Sequence, residues 1–206
     1  MPESVRLFLA INLDDAINKE IDTKFLFAIP ADGFSKTKPQ NLHLTLQFLG
    51  EKDPSDAKQL FERLQGLESF ESFDLELGSV GQFDSRVLWI GTKKGSDDLR
   101  LLAKKISAAI GIPNPDFHGH VTLGRNAGCE AKEFGERVER LRQVSFARTV
   151  RVCGFDLMRS TLTSNGPLYK KVFSIVFEQR RMGRLFLRSL TTERSNARSR
   201  TWARQR

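Results

Sequence analysis

The chain has 206 residues, enough for one large domain or two small lobes sharing a core. Hydrophobic residues make up 39% and charged residues 28%, with 16 Phe against one Tyr, which is a globular composition. No apolar run approaches the roughly 20 residues of a membrane span, and no basic-then-apolar leader opens the chain. The two cysteines, Cys129 and Cys153, have no metal-like spacing, so a reduced, cytoplasmic setting is expected. The net charge of +8 is local. Residues 179–206 hold nine arginines and one glutamate, which account for all of it and leave residues 1–178 balanced. The expected division is a domain over 1–178 and a basic tail over 179–206, the tail either poorly ordered or a nonspecific electrostatic arm for RNA.

In chain order, Val5 to Asn12 is expected as a strand, and Asp14 as the cap of a helix reaching about Ala28. A loop with Pro30, Gly33 and Pro39 leads to Asn41–Gly50 (NLHLTLQFLG), which alternates apolar and polar residues with period two. Simple alternation turns Leu42, Leu44, Leu46 and Phe48 to the core and His43, Thr45 and Gln47 to the open face, with Gly50 ending the strand. Asp53-Pro54 opens a helix to about Glu68. Strands over Phe73 to Phe83 and Arg86 to Thr92 turn at Asp84-Ser85, and Trp89 alternates with core residues without needing a function. A helix from Ser96 to Ile110 stops at Gly111. The stiff segment Gly111 to Pro115 is the expected join between two lobes. A second histidine strand follows (His118-Gly119-His120-Val121-Thr122-Leu123-Gly124-Arg125), then a charged helix from Ala131 to Arg142. Closing strands are expected over Val144 to Ser160 and Tyr169 to Phe177. Strands interrupted by single helices favour an α+β fold with largely antiparallel sheets. No glycine-rich phosphate loop follows any strand.

The chemistry lies in the two His-x-Thr-apolar units. Imidazole titrates near neutral pH, so one His can hold a proton while the other lacks one. The pair suits general base and acid roles on either side of a phosphodiester. Thr45 and Thr122 can donate to non-bridging phosphate oxygens, and Arg125 can add a charge-assisted pair if it reaches. No metal or other cofactor is expected. The competing reading is a metal held by His43, His118 and His120, although a residue such as His118 more often orients a loop. Phe48 is assigned to the core, although a base could stack on it near the strand end. Tyr169, which follows a turn, is a minor candidate for the cleft wall.

Paired motifs at His43-Leu44-Thr45-Leu46 and His120-Val121-Thr122-Leu123, with Arg6–Ile11, Asn41–Gly50 and Phe117–Arg125 around them, resemble the 2H phosphoesterase superfamily. Within it they are similar to the RNA 2′,3′-cyclic phosphodiesterase branch, also called 2′-5′ RNA ligase, over about residues 4–178. The resemblance implies a bilobal duplicated fold: two mainly antiparallel sheets around a central cleft, helices outside, one His from each lobe. It implies metal-independent opening of a terminal 2′,3′-cyclic phosphate to a 2′-phosphate, with His43 the acid at the 3′-oxygen and His120 the base for water. Partners are then RNA ends or nucleotides carrying that phosphate, and a monomer is expected. Joining RNA ends through a 2′-5′ bond and noncatalytic RNA-end binding are the alternatives. Gly119 stands where the family commonly has Pro, which is expected to loosen the start of the strand.

Overall fold

The computed structural model describes residues 5–178, apart from residues 31, 54 and 165. The expectations for the tail therefore lie outside the described residues. Nine strands are described: β1 (Val5–Asn12), β2 (Phe34–Lys36), β3 (His43–Lys52), β4 (Phe73–Phe83), β5 (Val87–Thr92), β6 (His120–Asn126), β7 (Ala147–Val152), β8 (Gly154–Thr163) and β9 (Gly166–Val176). Four α-helices accompany them: α1 (Asp15–Ile21), α2 (Asp56–Leu64), α3 (Ser96–Ile110) and α4 (Ala131–Arg142). All the strand pairs are antiparallel, in the order β7-β4-β5-β6-β3-β1-β8-β9, with β2 beside β6. The two histidine strands meet at the centre, where, among the described residues, Leu44 pairs with Val121 across the half-sheets. The expected α+β antiparallel architecture is thus present, with the two half-sheets continuous through that seam.

One face of the sheet is packed by the helices. Leu44, Leu46, Leu88, Ile90, Val121 and Leu123 from the strands join Ile21, Leu64, Ile106 and Phe134 from the helices in one buried core. Burying a side chain of that size contributes about 1.5–3 kcal/mol. On the opposite face Phe8, Ala10 and Met158 form a smaller buried cluster with Tyr169 packed on it. Strand β1 is therefore buried on both faces, which is why VRLFLAIN shows little alternation.

The helices do not all keep their expected ends. The Asp14 carboxylate accepts from Ile17 N and caps α1, which ends at Ile21; a π-helical turn, Asp22–Leu26, carries the chain on to bury Phe25 and Leu26. Helix α2 gives way to a 3₁₀ turn, Gln65–Ser69. Helix α3 ends at Gly111, whose φ of 72° is the left-handed cap conformation that favours glycine.

The lobes are not the two halves of the chain. One half-sheet is β4 to β7, and the other combines β1 and β3 with β8 and β9. The Gly111 to Pro115 segment lies between α3 and β6, inside one half, so it is not the join. The chain crosses at Cys153, which divides the expected Val144–Ser160 strand into β7 and β8. There a Cβ on Gly154 would lie 2.3 Å from the Ile175 carbonyl oxygen, so the backbones approach too closely for a side chain. Strand β3 also runs past Gly50 to Lys52. Strand β2 forms inside the expected loop by pairing with β6, a long-range partner that local pattern does not reveal.

Candidate active site

Because Leu44 and Val121 pair with their side chains in the core, His43, Thr45, His120 and Thr122 project from the other face by alternation. The register sets His43 across from Thr122 and Thr45 across from His120. Both imidazoles are half-buried, and the charge of His120 bears on His43.

Each ring is fixed in the same way. His43 Nδ1 lies 2.7 Å from the Asn41 carbonyl oxygen, and His120 Nδ1 lies 2.7 Å from that of His118. A carbonyl only accepts, so Nδ1 carries the proton in each ring and Nε2 is the reactive nitrogen. His43 Nε2 is 3.1 Å from Thr45 Oγ1, which donates to the neutral ring and accepts from the imidazolium. The side chain of buried Asn41 donates to the Pro167 carbonyl at 2.9 Å, tying the base of β3 to the β8–β9 hairpin. Burial lowers the pKa of both histidines from the ordinary 6.5. The Asn41 carbonyl partly opposes this at His43, and the His118 carbonyl does so at His120. Neighbouring charge lowers them further, from His120 on His43 and from His118 and Arg125 on His120.

Two matched irregularities decide what else reaches this face. Between β1 and β3, Leu9 pairs with Gln47 and Ala10 with Thr45, so Leu46 is an extra residue. Between β5 and β6, Leu88 pairs with Gly124 and Trp89 with Thr122, so Leu123 is extra. Each bulge falls three residues after a site histidine and reverses the alternation beyond it. Arg125, which unbroken alternation turns away from Thr122, thereby returns to the histidine face and stands opposite Val87. Its charge bears on both His120 and Tyr169. The same shift returns Phe48 opposite Phe8, 67% exposed, which corrects its assignment to the core. Gln47 is buried in its stead. Both bulge carbonyls find donors from loops: Asn114 Nδ2 reaches Leu46 O at 3.0 Å, and Thr37 N reaches Leu123 O at 2.9 Å. The Gly111 to Pro115 loop therefore holds the bulge of the opposite half-sheet.

Aromatic rings wall each histidine. Phe8 and Tyr169 stand 5.0 and 5.3 Å from the His43 ring, and Phe83 stands 4.9 Å from His120. The cleft-wall assignment of Tyr169 agrees with this placement, and burial pushes its hydroxyl pKa up. Trp89 is not a bystander: its ring lies 6.2 Å from His120 and 4.9 Å from the exposed His118 ring. It lies flat on Gly81, where a Cβ would come within 2.1 Å of it. Gly119 is buried rather than loose, since a Cβ there would lie 2.4 Å from Leu99 Cδ2. Among the described residues, no group of three His, Cys, Asp or Glu is placed to hold a metal ion.

Two histidines on one open sheet face, each locked through Nδ1 and each followed two residues on by a threonine on the same face, define a paired-histidine phosphoesterase arrangement. A model of the LigT-like phosphoesterase family matches the chain twice, over residues 24–89 and 90–169, and the chain belongs to that family. An RNA 2′,3′-cyclic phosphodiesterase of Archaeoglobus fulgidus is 32% identical over 173 residues, covering 81% of this chain and 97% of the relative. The Escherichia coli protein of the same name is 36% identical over 133 residues, covering 62% and 75%. The crystal structure of E. coli LigT complexed with 3′-AMP superposes with a TM-score of 0.70 at 28% identity, covering 86% of this chain and all of that one. No described helix is long and apolar enough to cross a membrane.

Proposed function

We propose that this protein hydrolyses terminal 2′,3′-cyclic phosphates of RNA or nucleotides to 2′-phosphates, without a metal. The observation that carries the proposal is the shared face of His43 and His120, each with its Nδ1 held by a carbonyl so that Nε2 is the reactive nitrogen. In the proposed reaction neutral His120 Nε2 takes a proton from water as its oxygen bonds to phosphorus. The phosphorus–O3′ bond breaks, and the His43 imidazolium gives its Nε2 proton to that oxygen. The product has a free 3′-hydroxyl and a 2′-phosphate. Arg125 faces the charge that builds on the non-bridging oxygens, and the Thr122 hydroxyl can donate to one of them. Thr45 holds the His43 ring in its donating orientation before substrate arrives, and its hydroxyl then becomes available to the phosphate. One chain supplies both imidazoles, so a monomer suffices. The free thiols of Cys129 and Cys153 accord with a reducing compartment such as the cytoplasm.

Relatives named RNA 2′,3′-cyclic phosphodiesterases and the 3′-AMP complex of E. coli LigT support nucleotide ends as the substrate class. The test is turnover of a 2′,3′-cyclic nucleotide in chelator, with the product regioisomer identified. Hydrolysis to the 2′-phosphate is expected. Activity that vanishes on exhaustive metal removal and returns with metal, or a 3′-phosphate product, would overturn the proposal.

A further inference from the structure

We infer that a polar cluster beside His43, built on Asp156 and Lys171, reads the backbone of the nucleotide that precedes the cyclic end: its ribose 2′-hydroxyl on Asp156 and its phosphodiester on Lys171. The inference rests on the cyclic phosphodiesterase reading and extends it from nucleotides to RNA strands. The sheet carries the cluster on the histidine face. Thr45 pairs with Ala10 and Ala10 with Asp156, so Asp156 stands two strands from Thr45 across a buried alanine. Asn12 pairs with His43 itself. Ser174 pairs with Asp156, and Lys171 with Met158, which shares a buried cluster with Ala10 on that face.

The cluster is assembled around one carboxylate. Asn12 Nδ2 donates to Asp156 Oδ2 at 2.6 Å, and the Ser174 hydroxyl donates to Oδ1. Lys171 Nζ stands 3.7 Å from Oδ1. The Asp156 side chain is 14% exposed, whereas that of Lys171 is 58% exposed. An exposed ion pair between two free side chains contributes little. Here a sunken carboxylate is fixed by two other side chains and in turn holds an ammonium above the open face. Oδ2 keeps a lone pair beyond the one Asn12 takes. At 3.7 Å the ammonium is held by charge and not by a hydrogen bond, so its donors remain for a ligand. The cluster thus presents an acceptor and a cation side by side, with no net charge. A free phosphate would meet the carboxylate as well as the cation. An RNA backbone offers the complement, a hydroxyl donor next to an anionic phosphodiester, and that hydroxyl is the group DNA lacks.

The direction of the strand follows from the proposed chemistry. The leaving O3′ meets His43, so the terminal ribose lies on the His43 side of phosphorus. The preceding nucleotide then continues away from His120, over β1 and β8. Neighbouring strands lie about 4.8 Å apart, which sets Asp156 about 10 Å from β3, within reach of that nucleotide.

The experiment uses the full-length chain and three substrates: adenosine 2′,3′-cyclic phosphate, the dinucleotide ApA with a 2′,3′-cyclic end, and the same dinucleotide with 2′-deoxyribose at its first position. On the unaltered protein, kcat/KM for the all-ribose dinucleotide should exceed that for the deoxy form roughly 10- to 150-fold, the range for a hydrogen bond to a charged group. Asp156→Ala should shrink that ratio to about twofold or less. A fourfold rise in salt should lower the dinucleotide-to-mononucleotide ratio of kcat/KM about 2.5-fold, as for one phosphate contact, and Lys171→Ala should abolish that dependence. Lys170→Ala, opposite Arg159 on the other face of β9, should alter neither ratio. Equal kcat/KM for the two dinucleotides on the unaltered protein would overturn the inference without any variant having to fold. So would an Asp156→Ala protein that still discriminates between them, or a Lys171→Ala protein that keeps the full salt dependence. In each of those cases the mononucleotide is still turned over and the phosphodiesterase reading stands. If the unaltered protein turned over none of the three substrates, that reading would fall, and this inference with it.

Discussion

Raising the pH should switch the enzyme off earlier than an ordinary histidine pair would. The proposed mechanism needs His120 neutral and His43 protonated, and both pKa values are lowered from 6.5 because both rings are half-buried and feel neighbouring positive charge. The signs oppose each other: the lowered pKa of His120 frees the base at lower pH, whereas that of His43 removes the acid at lower pH. In the free enzyme the alkaline limb of kcat/KM therefore falls below pH 6.5. With a limb at or below that value, kcat/KM should drop about 50- to 100-fold between pH 6.5 and 8.5, close to tenfold per unit. Bound substrate acts the other way. An anionic phosphate about 5 Å from the imidazolium is worth roughly 3 kcal/mol at an effective dielectric of 20, or about two pKa units before Arg125 offsets part of it. The alkaline limb of kcat should accordingly lie above that of kcat/KM. Steady-state profiles on a 2′,3′-cyclic nucleotide measure both limbs. The chain has only three histidines, so NMR titration of their ring protons can follow the free protein separately. A kcat/KM that stays flat to pH 8.5, or a free His43 that titrates above 6.5, would refute the argument that burial sets the working range.

Other outcomes test individual groups. On an aryl phosphodiester, whose leaving phenolate needs no proton, His43→Ala should recover most of a deficit of about 10²–10⁴ seen on cyclic nucleotides, while His120→Ala should not; equal deficits on both substrates would reverse or dissolve the acid and base roles. Arg125→Ala should lower kcat about 10²–10³-fold, with Arg125→Lys intermediate because it keeps charge without the planar fork; unchanged kinetics would remove Arg125 from the site. Asn41→Ser leaves the Pro167 carbonyl without its donor and should cost about 1–3 kcal/mol in chemical denaturation, with kcat falling more than KM changes. A stability loss with unaltered kcat would show that this tie holds the hairpin without positioning His43.

Period-two alternation at Asn41–Gly50 and at His120–Leu123 was enough to identify two strands, their core faces and the histidine–threonine pairs. It could do so because side-chain direction in a strand is set locally by the backbone. Helix α3 was equally legible, since an apolar stripe and a terminal glycine are local signals. Alternation failed beyond Leu46 and Leu123, because a bulge depends on the strand alongside and on a distant donor such as Asn114 or Thr37. That failure put Phe48 in the core and left the reach of Arg125 open. Comparing the two motifs would have given a hint, since Phe48 and Arg125 follow their histidines by the same interval. The partition into lobes was also illegible, because the strand order follows from which backbones find each other across the chain. Residue types and local periodicity thus determined the chemistry this protein carries. Long-range pairing alone decided that His43 and His120 share one face, and which ring and which cation stand beside them.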